Sequence, residues 1–169
     1  MAWPVLGLDA SARELGQRVA ELPPGGGVVV VGPAGSGRST LLRRLAWSLG
    51  IQGRPSAWRA PRAHEGHGPR ESAVSMLQAL ELELSPSSPV GELVVLIDDA
   101  EQLDASFVAR LGELREAGAR LVLVAAESAS IEGPTLGLHA ISPMQEELAR
   151  ELVLRAVPSL GESVAAHIA

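Results

Sequence analysis

Three aliphatic stretches without polar alternation stand out along the chain, at residues 27–31, 93–97 and 121–125. Runs of this kind are typical of strands that are covered on both faces in a parallel sheet. Two shorter strands are predicted at residues 56–59 and 138–141. The chain is therefore expected to form a mostly parallel sheet of five strands.

Apolar residues at helical spacing occupy the stretches between these strands. The clearest case is residues 39–49, where Leu41, Leu45 and Leu49 share one face and Gly50 follows the last of them. Helices are also predicted over residues 11–22, 71–84, 105–117 and 142–157, and after Pro158. Strands that alternate with helices predict an α/β fold with three layers.

Three predicted helix starts carry capping signals. Ser11 and Glu14 have the spacing of a capping box, in which each side chain can accept the other residue's backbone N–H. Asp104 is placed to cap the helix that follows it. Ser142 begins a second box, and Pro143 would take the first helical position. Each signal predicts where its helix begins.

Composition limits the classes of function. The chain has 169 residues, a formal net charge of -6 and no cysteine. The length suits one domain, and the acidic balance has the wrong sign for gripping a nucleic-acid backbone. Without cysteine there are no disulfides and no thiolate metal sites. The longest apolar runs are far below bilayer length, so a cytoplasmic protein without membrane insertion is expected.

A glycine-rich segment joins the first aliphatic run to the helix near residue 39. It resembles the Walker A loop, G-x-x-x-x-G-K-S/T, in spacing and in its strand-to-helix context. In such a loop, backbone N–H groups point at phosphate oxygens and the following helix adds the positive end of its dipole. The residues predicted to bind the nucleotide are Gly32, Pro33, Ala34, Gly35, Ser36, Gly37, Arg38, Ser39 and Thr40. The Ser39 hydroxyl is also expected to bind magnesium.

Arg38 stands where the motif has lysine. Lysine reaches the β and γ phosphates as a compact charge, whereas arginine is a wide planar fork that cannot occupy the same space. Nucleotide binding can survive this change. Hydrolysis is more sensitive, because a misplacement of about 1 Å can cost on the order of a hundredfold in rate. The sequence leaves open whether ATP is hydrolysed.

An acidic pair, Asp98 and Asp99, ends the aliphatic run at residues 93–97 and resembles a Walker B strand. A carboxylate at the carboxyl end of a parallel strand points into the crevice where ligands bind in open α/β sheets. We expect Asp98 to hold magnesium through water, opposite Ser39. Asp99 is predicted to be catalytic by polarising the attacking water, with Glu101 as a less favoured substitute.

Together these residues resemble the AAA+ and STAND branch of the P-loop NTPases. Four passages carry the resemblance: residues 6–14, 32–40, 93–104 and 141–147. The resemblance implies ATP or ADP with Mg2+ as the ligands, and a polar residue after the third long strand, Ser128 or Glu127, that senses the γ phosphate. No arginine stands in a clear arginine-finger context, and Arg110, Arg115 and Arg120 are expected to be solvated or paired.

The resemblance also implies the organisation of the chain. Residues 1–141 would form the P-loop NTPase-like α/β domain, and residues 142–169 a short remnant of the family's helical lid. The function expected is an ATP-binding, nucleotide-dependent switch with weak or no intrinsic hydrolysis. The alternative is a catalytically degenerate domain that serves as a protein-interaction subunit. A protein partner or an oligomer is expected in either case.

Overall fold

The computed structural model describes residues 7–59, 90–126 and 136–156. The helices and strands in these ranges, in chain order, are α1 (Asp9–Glu21), β1 (Gly27–Gly32), α2 (Arg38–Ile51), β2 (Ser56–Arg59), β3 (Val94–Ile97), α3 (Ala105–Glu116), β4 (Arg120–Ala126), β5 (Leu136–Ala140) and α4 (Glu146–Ala156). The helices predicted at 71–84 and after Pro158 lie outside the described residues.

The five strands form one sheet in the order β2-β3-β4-β1-β5, and every neighbouring pair is parallel. The prediction of a mostly parallel five-stranded sheet is thus confirmed. Because the strands are parallel, all their carboxyl ends lie at one edge. With β4 between β1 and β3, the segment after β1 shares this edge with the ends of β3 and β4.

Alternate residues of each long strand face opposite sides of the sheet. In β3, Val94 and Leu96 pack in the cluster that includes the buried leucines of α1 and α2. Val95 and Ile97 pack in a second cluster with Phe107 and the leucines of α3. Helices on both faces explain why these strands are aliphatic throughout. The fold is the expected three-layer α/β/α arrangement.

The start of α1 differs from the prediction. The helix begins at Asp9, Leu8 precedes it, and no side chain caps it. Ser11 therefore lies within the helix, and the capping box of Ser11 and Glu14 is wrong. Leu8 is buried with its Cδ1 against Gly37. This tertiary contact positions the chain where it enters α1.

The start of α4 was also predicted wrongly. The helix begins at Glu146, so Ser142 and Pro143 lie before it rather than capping it and opening it. The chain is still held against the sheet at Ile141, which is buried and whose N–H donates to the carbonyl of Val31 at 2.8 Å. That attachment delays the helix by about one turn.

The cap on α3 is confirmed, because Oδ1 of Asp104 accepts the backbone N–H of Phe107 at 2.8 Å. Elsewhere the predicted bounds shift by one or two residues, and α2 continues past Gly50 to Ile51. No helix in the described ranges is long and apolar enough to cross a membrane.

Candidate functional site

The glycine loop, residues 32–40, turns sharply between β1 and α2. The N–H of Ser36 donates to the carbonyl of Pro33 at 3.2 Å, and the carbonyl of Gly37 accepts the N–H of Leu41 at 2.8 Å. Gly35 and Gly37 have φ values of 79° and 90°, in the left-handed region that favours glycine. The backbone thus curls directly into the amino-terminal end of α2.

Two glycines of the loop also have close neighbours, a side-chain end at Gly37 and a backbone oxygen at Gly32. A Cβ on Gly37 would lie 2.9 Å from Cδ1 of Leu8, and a Cβ on Gly32 would lie 2.8 Å from the carbonyl oxygen of Ile141. By contrast, a Cβ on Gly35 would have no atom within 4 Å. The loop is therefore tightly packed at its two ends and open at its crest.

Ser39 and Asp98 meet across the sheet edge. The Ser39 hydroxyl donates to Oδ1 of Asp98 at 3.1 Å, although 59 residues separate the two in sequence. Asp98 is 3% exposed, and the same oxygen accepts the N–H of Asp99 at 3.2 Å. Adjacent ligands of an octahedral Mg2+ with bonds of 2.0–2.1 Å lie about 3 Å apart. The hydroxyl and the carboxylate therefore fit a magnesium ion.

Asp99 differs from its neighbour in conformation and in charge environment. Its backbone is left-handed, with φ 48° and ψ 49°, which is uncommon for a residue other than glycine. Burial raises the pKa of its carboxyl above the ordinary value, and the charges of Asp98 and Glu101 raise it further. The cation of Arg38 acts in the opposite direction. The second acid is thus held in a strained turn with a proton bound more readily than usual.

Arg38 does not point along the loop. Its Nη1 donates a hydrogen bond to the carbonyl of Ala125, near the end of β4. The charge of Arg38 also lowers the pKa of Asp99, against the larger effect of burial. The Arg38 guanidinium is therefore hydrogen-bonded at the edge of the sheet.

A pocket of about 260 Å³ adjoins the glycine loop. Sequence reasoning missed it, because it assembles residues from the start of α1, the end of β5 and α4. Its lining includes Gly7, Leu8, Ser36, Ile141, Met144 and Leu148. The Ser36 hydroxyl is 3% exposed and has no hydrogen-bond partner among the described residues. A buried polar group without a partner is uncommon, and this one lies where the pocket meets the loop.

The structure brings most of the predicted site together. Residues of the glycine loop, Asp98 and Asp99 converge at the carboxyl edge of the sheet, and Thr40 lies in the first turn of α2. Ser128 and Glu127 lie outside the described residues. Within those residues no three His, Cys, Asp or Glu side chains cluster as a metal site. A magnesium ion here would also need phosphate or water oxygens.

The arginines beyond the site are paired, as predicted. Arg120 donates from Nε to the carbonyl of Leu22 at 2.9 Å and from Nη1 to that of Gly91 at 2.8 Å. Arg115 donates to the carbonyl of Gly25 at 3.0 Å. Arg110 forms an ion pair with Glu113. Arg115 and Arg120 thus bond to the segments that connect helices and strands, whereas the ion pair of Arg110 lies within α3.

Comparison with known proteins agrees with this architecture. No curated protein is detectably similar in sequence. The crystal structure of a DNA replication initiation factor superposes with a TM-score of 0.63 at 11% identity, over 94% of this chain and 53% of that one. The present chain thus spans about half of that protein, and at this identity the likeness shows the fold alone. Residues 8–132, more than half of the chain, match a family described as Novel STAND NTPase 5. The chain belongs to this family of P-loop STAND NTPases.

Proposed function

We propose that the chain binds ATP or ADP with Mg2+ at the glycine loop and acts as a nucleotide-dependent switch with weak or no hydrolysis of its own. One observation carries the proposal. The Ser39 hydroxyl at the start of α2 meets the buried carboxylate of Asp98 after β3 at 3.1 Å. A turn that only joined a strand to a helix would not need this pairing of a hydroxyl with a buried carboxylate.

Different groups of the site would bind the phosphates, the magnesium ion and the attacking water. Backbone N–H groups of residues 33–39 and the amino-terminal end of α2 would hold the phosphates. Ser39 and Asp98 would hold Mg2+, which neutralises phosphate charge when bound. Asp99 would orient water for hydrolysis, and burial, which raises the pKa of its carboxyl, favours its acceptance of a proton from that water.

The pocket beside the loop supports a nucleotide rather than a simple phosphate. Its walls combine polar and apolar surface, with Leu8, Ile141 and Leu148 on the apolar side, and Ser36 joins it to the loop. This suits a flat base with polar edges. Because α1 begins and α4 lies at this pocket, a bound base would tie both helices to the α/β domain. That link is the physical basis for a switch.

The alternative, a degenerate domain that binds partners and does not hydrolyse ATP, is favoured by Arg38. Its guanidinium is bonded to Ala125 rather than extended along the loop. Replacement of Arg38 by lysine distinguishes the two. If hydrolysis rises strongly from a negligible level, the natural chain is a binding module. If the natural chain already hydrolyses ATP and the replacement changes little, it is an ATPase.

Equilibrium titration with a fluorescent ATP analogue, with and without Mg2+, tests the proposal. Ser39→Ala should weaken Mg2+-dependent binding by about fivefold, as expected for one lost hydrogen-bonding ligand. Ser48→Ala is the matched control, because Ser48 lies in the same helix and contacts Gln52 instead. Absence of Mg2+-dependent binding to the natural chain at millimolar nucleotide would refute the proposal.

A further inference from the structure

The Arg38 side chain is turned back onto the sheet. Its Nη1 donates to the carbonyl of Ala125, the next-to-last residue of β4. Ala125 is paired with Val31, directly before the glycine loop. The guanidinium thus sits beside the strand ends, with its charge away from the crest of the loop.

The same region lies next to the acidic residues. Strand β3 is the other neighbour of β4, with Ile97 paired to Leu123, and Asp98 follows Ile97. Arg38 lies close enough to Asp99 for its charge to lower the pKa of that carboxyl, against the larger effect of burial. The hydrogen bond to Ala125 therefore holds the guanidinium at the end of β4, the strand that lies next to β3.

This placement bears on the length of the phosphate chain. In a loop of this spacing, the side chain at position 38 is the one that reaches the β and γ phosphates. Here that position carries a planar fork, which is larger than an ammonium and is bonded to a backbone carbonyl. For a terminal phosphate to enter, this bond must break and the partly buried Ala125 oxygen must lose a charged donor.

We propose that Arg38 makes the site select a nucleoside diphosphate over a triphosphate. The inference rests on the proposed function, because it takes the nucleotide to bind at the glycine loop. The β phosphate has the loop N–H groups, the α2 terminus and Ser39 as further partners, whereas a γ phosphate must displace the guanidinium. An Arg38 free to turn would instead favour the additional negative charge, so the bond to Ala125 decides the preference.

Isothermal titration calorimetry with Mg2+-ADP and with a non-hydrolysable Mg2+-ATP analogue tests the selection. The natural chain should bind ADP about tenfold more tightly, the cost of giving up one hydrogen bond from a charged donor. Arg38→Lys and Arg38→Gln should bring the two dissociation constants within about twofold of each other or reverse their order. Neither side chain has the planar guanidinium that donates to the carbonyl of Ala125.

The control is Arg43→Lys. Arg43 lies five residues further along α2, on its exposed side, over the ring of Trp58 at 5.6 Å from the ring centroid. This variant should keep the natural ratio of dissociation constants. Circular dichroism melts establish that each variant is folded, and two different replacements of Arg38 guard against the failure of one.

The outcomes separate the inference from the function on which it rests. If nucleotides bind but the natural chain prefers the triphosphate, or if neither Arg38 variant changes the ratio, the selection by Arg38 is refuted and the nucleotide site stands. If neither nucleotide binds the natural chain or any variant at millimolar concentration, the proposed function itself fails.

Discussion

The glycine loop and the acidic strand end, residues 98–101, face each other across the sheet edge but are built in different ways. The loop is defined by its backbone conformation, because Gly35 and Gly37 take φ values that other residues adopt only at a cost. Ser36 has the one buried side chain of the loop. The strand end is defined instead by its carboxylate side chains. A backbone site is specified by glycine spacing, whereas a carboxylate site depends on what surrounds each acid.

The two acids show this dependence directly. Asp98 is buried and held by a hydroxyl and a backbone N–H. Asp99, one residue later, has a left-handed backbone and a raised pKa. Identical side chains thus lie in different environments: hydrogen bonds fix Asp98, and burial makes Asp99 hold its proton more readily than usual. Seven substitutions, controls included, test the contrast between the loop and the strand end, beginning with the largest expected effect.

Asp98→Asn should weaken Mg2+-supported nucleotide binding by about 10–100-fold, because an amide is a poorer ligand for a hard cation. Asp99→Asn should leave that binding within about threefold, since Asp99 does not contact Ser39. Titration of Mg2+ at fixed nucleotide measures both effects. Glu101→Gln removes the same charge from the same segment and serves as the control. Equal losses from all three would mean that net charge, not ligation, accounts for the effect.

Gly37→Ala should lower the free energy of unfolding by about 1–3 kcal/mol, from left-handed strain and from the approach to Leu8. Gly35→Ala has comparable strain but open space around its Cβ, so its loss should be nearer 1 kcal/mol. Urea denaturation measures both.

Gly50→Ala supplies the reference for the glycine series. Gly50 lies in α2 without positive φ and with no atom within 4 Å of an added Cβ, so the change should stabilise the protein by about 0.5–1 kcal/mol. If Gly37→Ala proved no worse than Gly35→Ala, the contact with Leu8 would not be part of the loop's support.

Ser36→Ala should separate ligand binding from stability within the loop. The hydroxyl has no partner among the described residues, so its removal should stabilise the protein by up to about 1 kcal/mol while weakening nucleotide binding by about fivefold. Thermal melts and nucleotide titration measure the two quantities. A loss of stability would show that the hydroxyl serves the fold instead of a ligand.

Asp99→Asn should produce the smallest effect, visible as a change in pH dependence. The folded protein holds the Asp99 proton more tightly than the unfolded chain, whose pKa is near the ordinary 3.8. Stability contributed by this residue is therefore present below that value and is lost as pH rises through the raised pKa. The variant should gain a few degrees or less in Tm at neutral pH. A lower Tm at neutral pH would contradict this assignment of charge.

Much of the fold could be predicted from local pattern. The runs at 27–31, 93–97 and 121–125 lie in β1, β3 and β4, and Asp104 caps α3. The same kind of reasoning failed at the starts of α1 and α4. There, burial of Leu8 and attachment of Ile141 to β1 outweighed side-chain capping, which contributes only about 1 kcal/mol.

The candidate site was likewise predicted only in part from the sequence. Spacing alone placed Ser39 and Asp98 at one edge, because parallel strands end together. Neither the orientation of Arg38 nor the pocket beside Ser36 could be predicted, since each depends on residues distant in sequence. Arg38 was expected to hold phosphate, and its bond to Ala125 is what motivates the diphosphate selection.

The order of residues by itself determined the layered α/β class, the positions of the long strands and the pairing of a glycine loop with an acidic strand end. These follow from periodicity and from glycine conformation, which act over a few residues. Folding alone decided where α1 and α4 begin, which acid is buried and where the Arg38 guanidinium lies. Those outcomes depend on solvent exclusion and on contacts between distant segments, which exist only after the chain has packed.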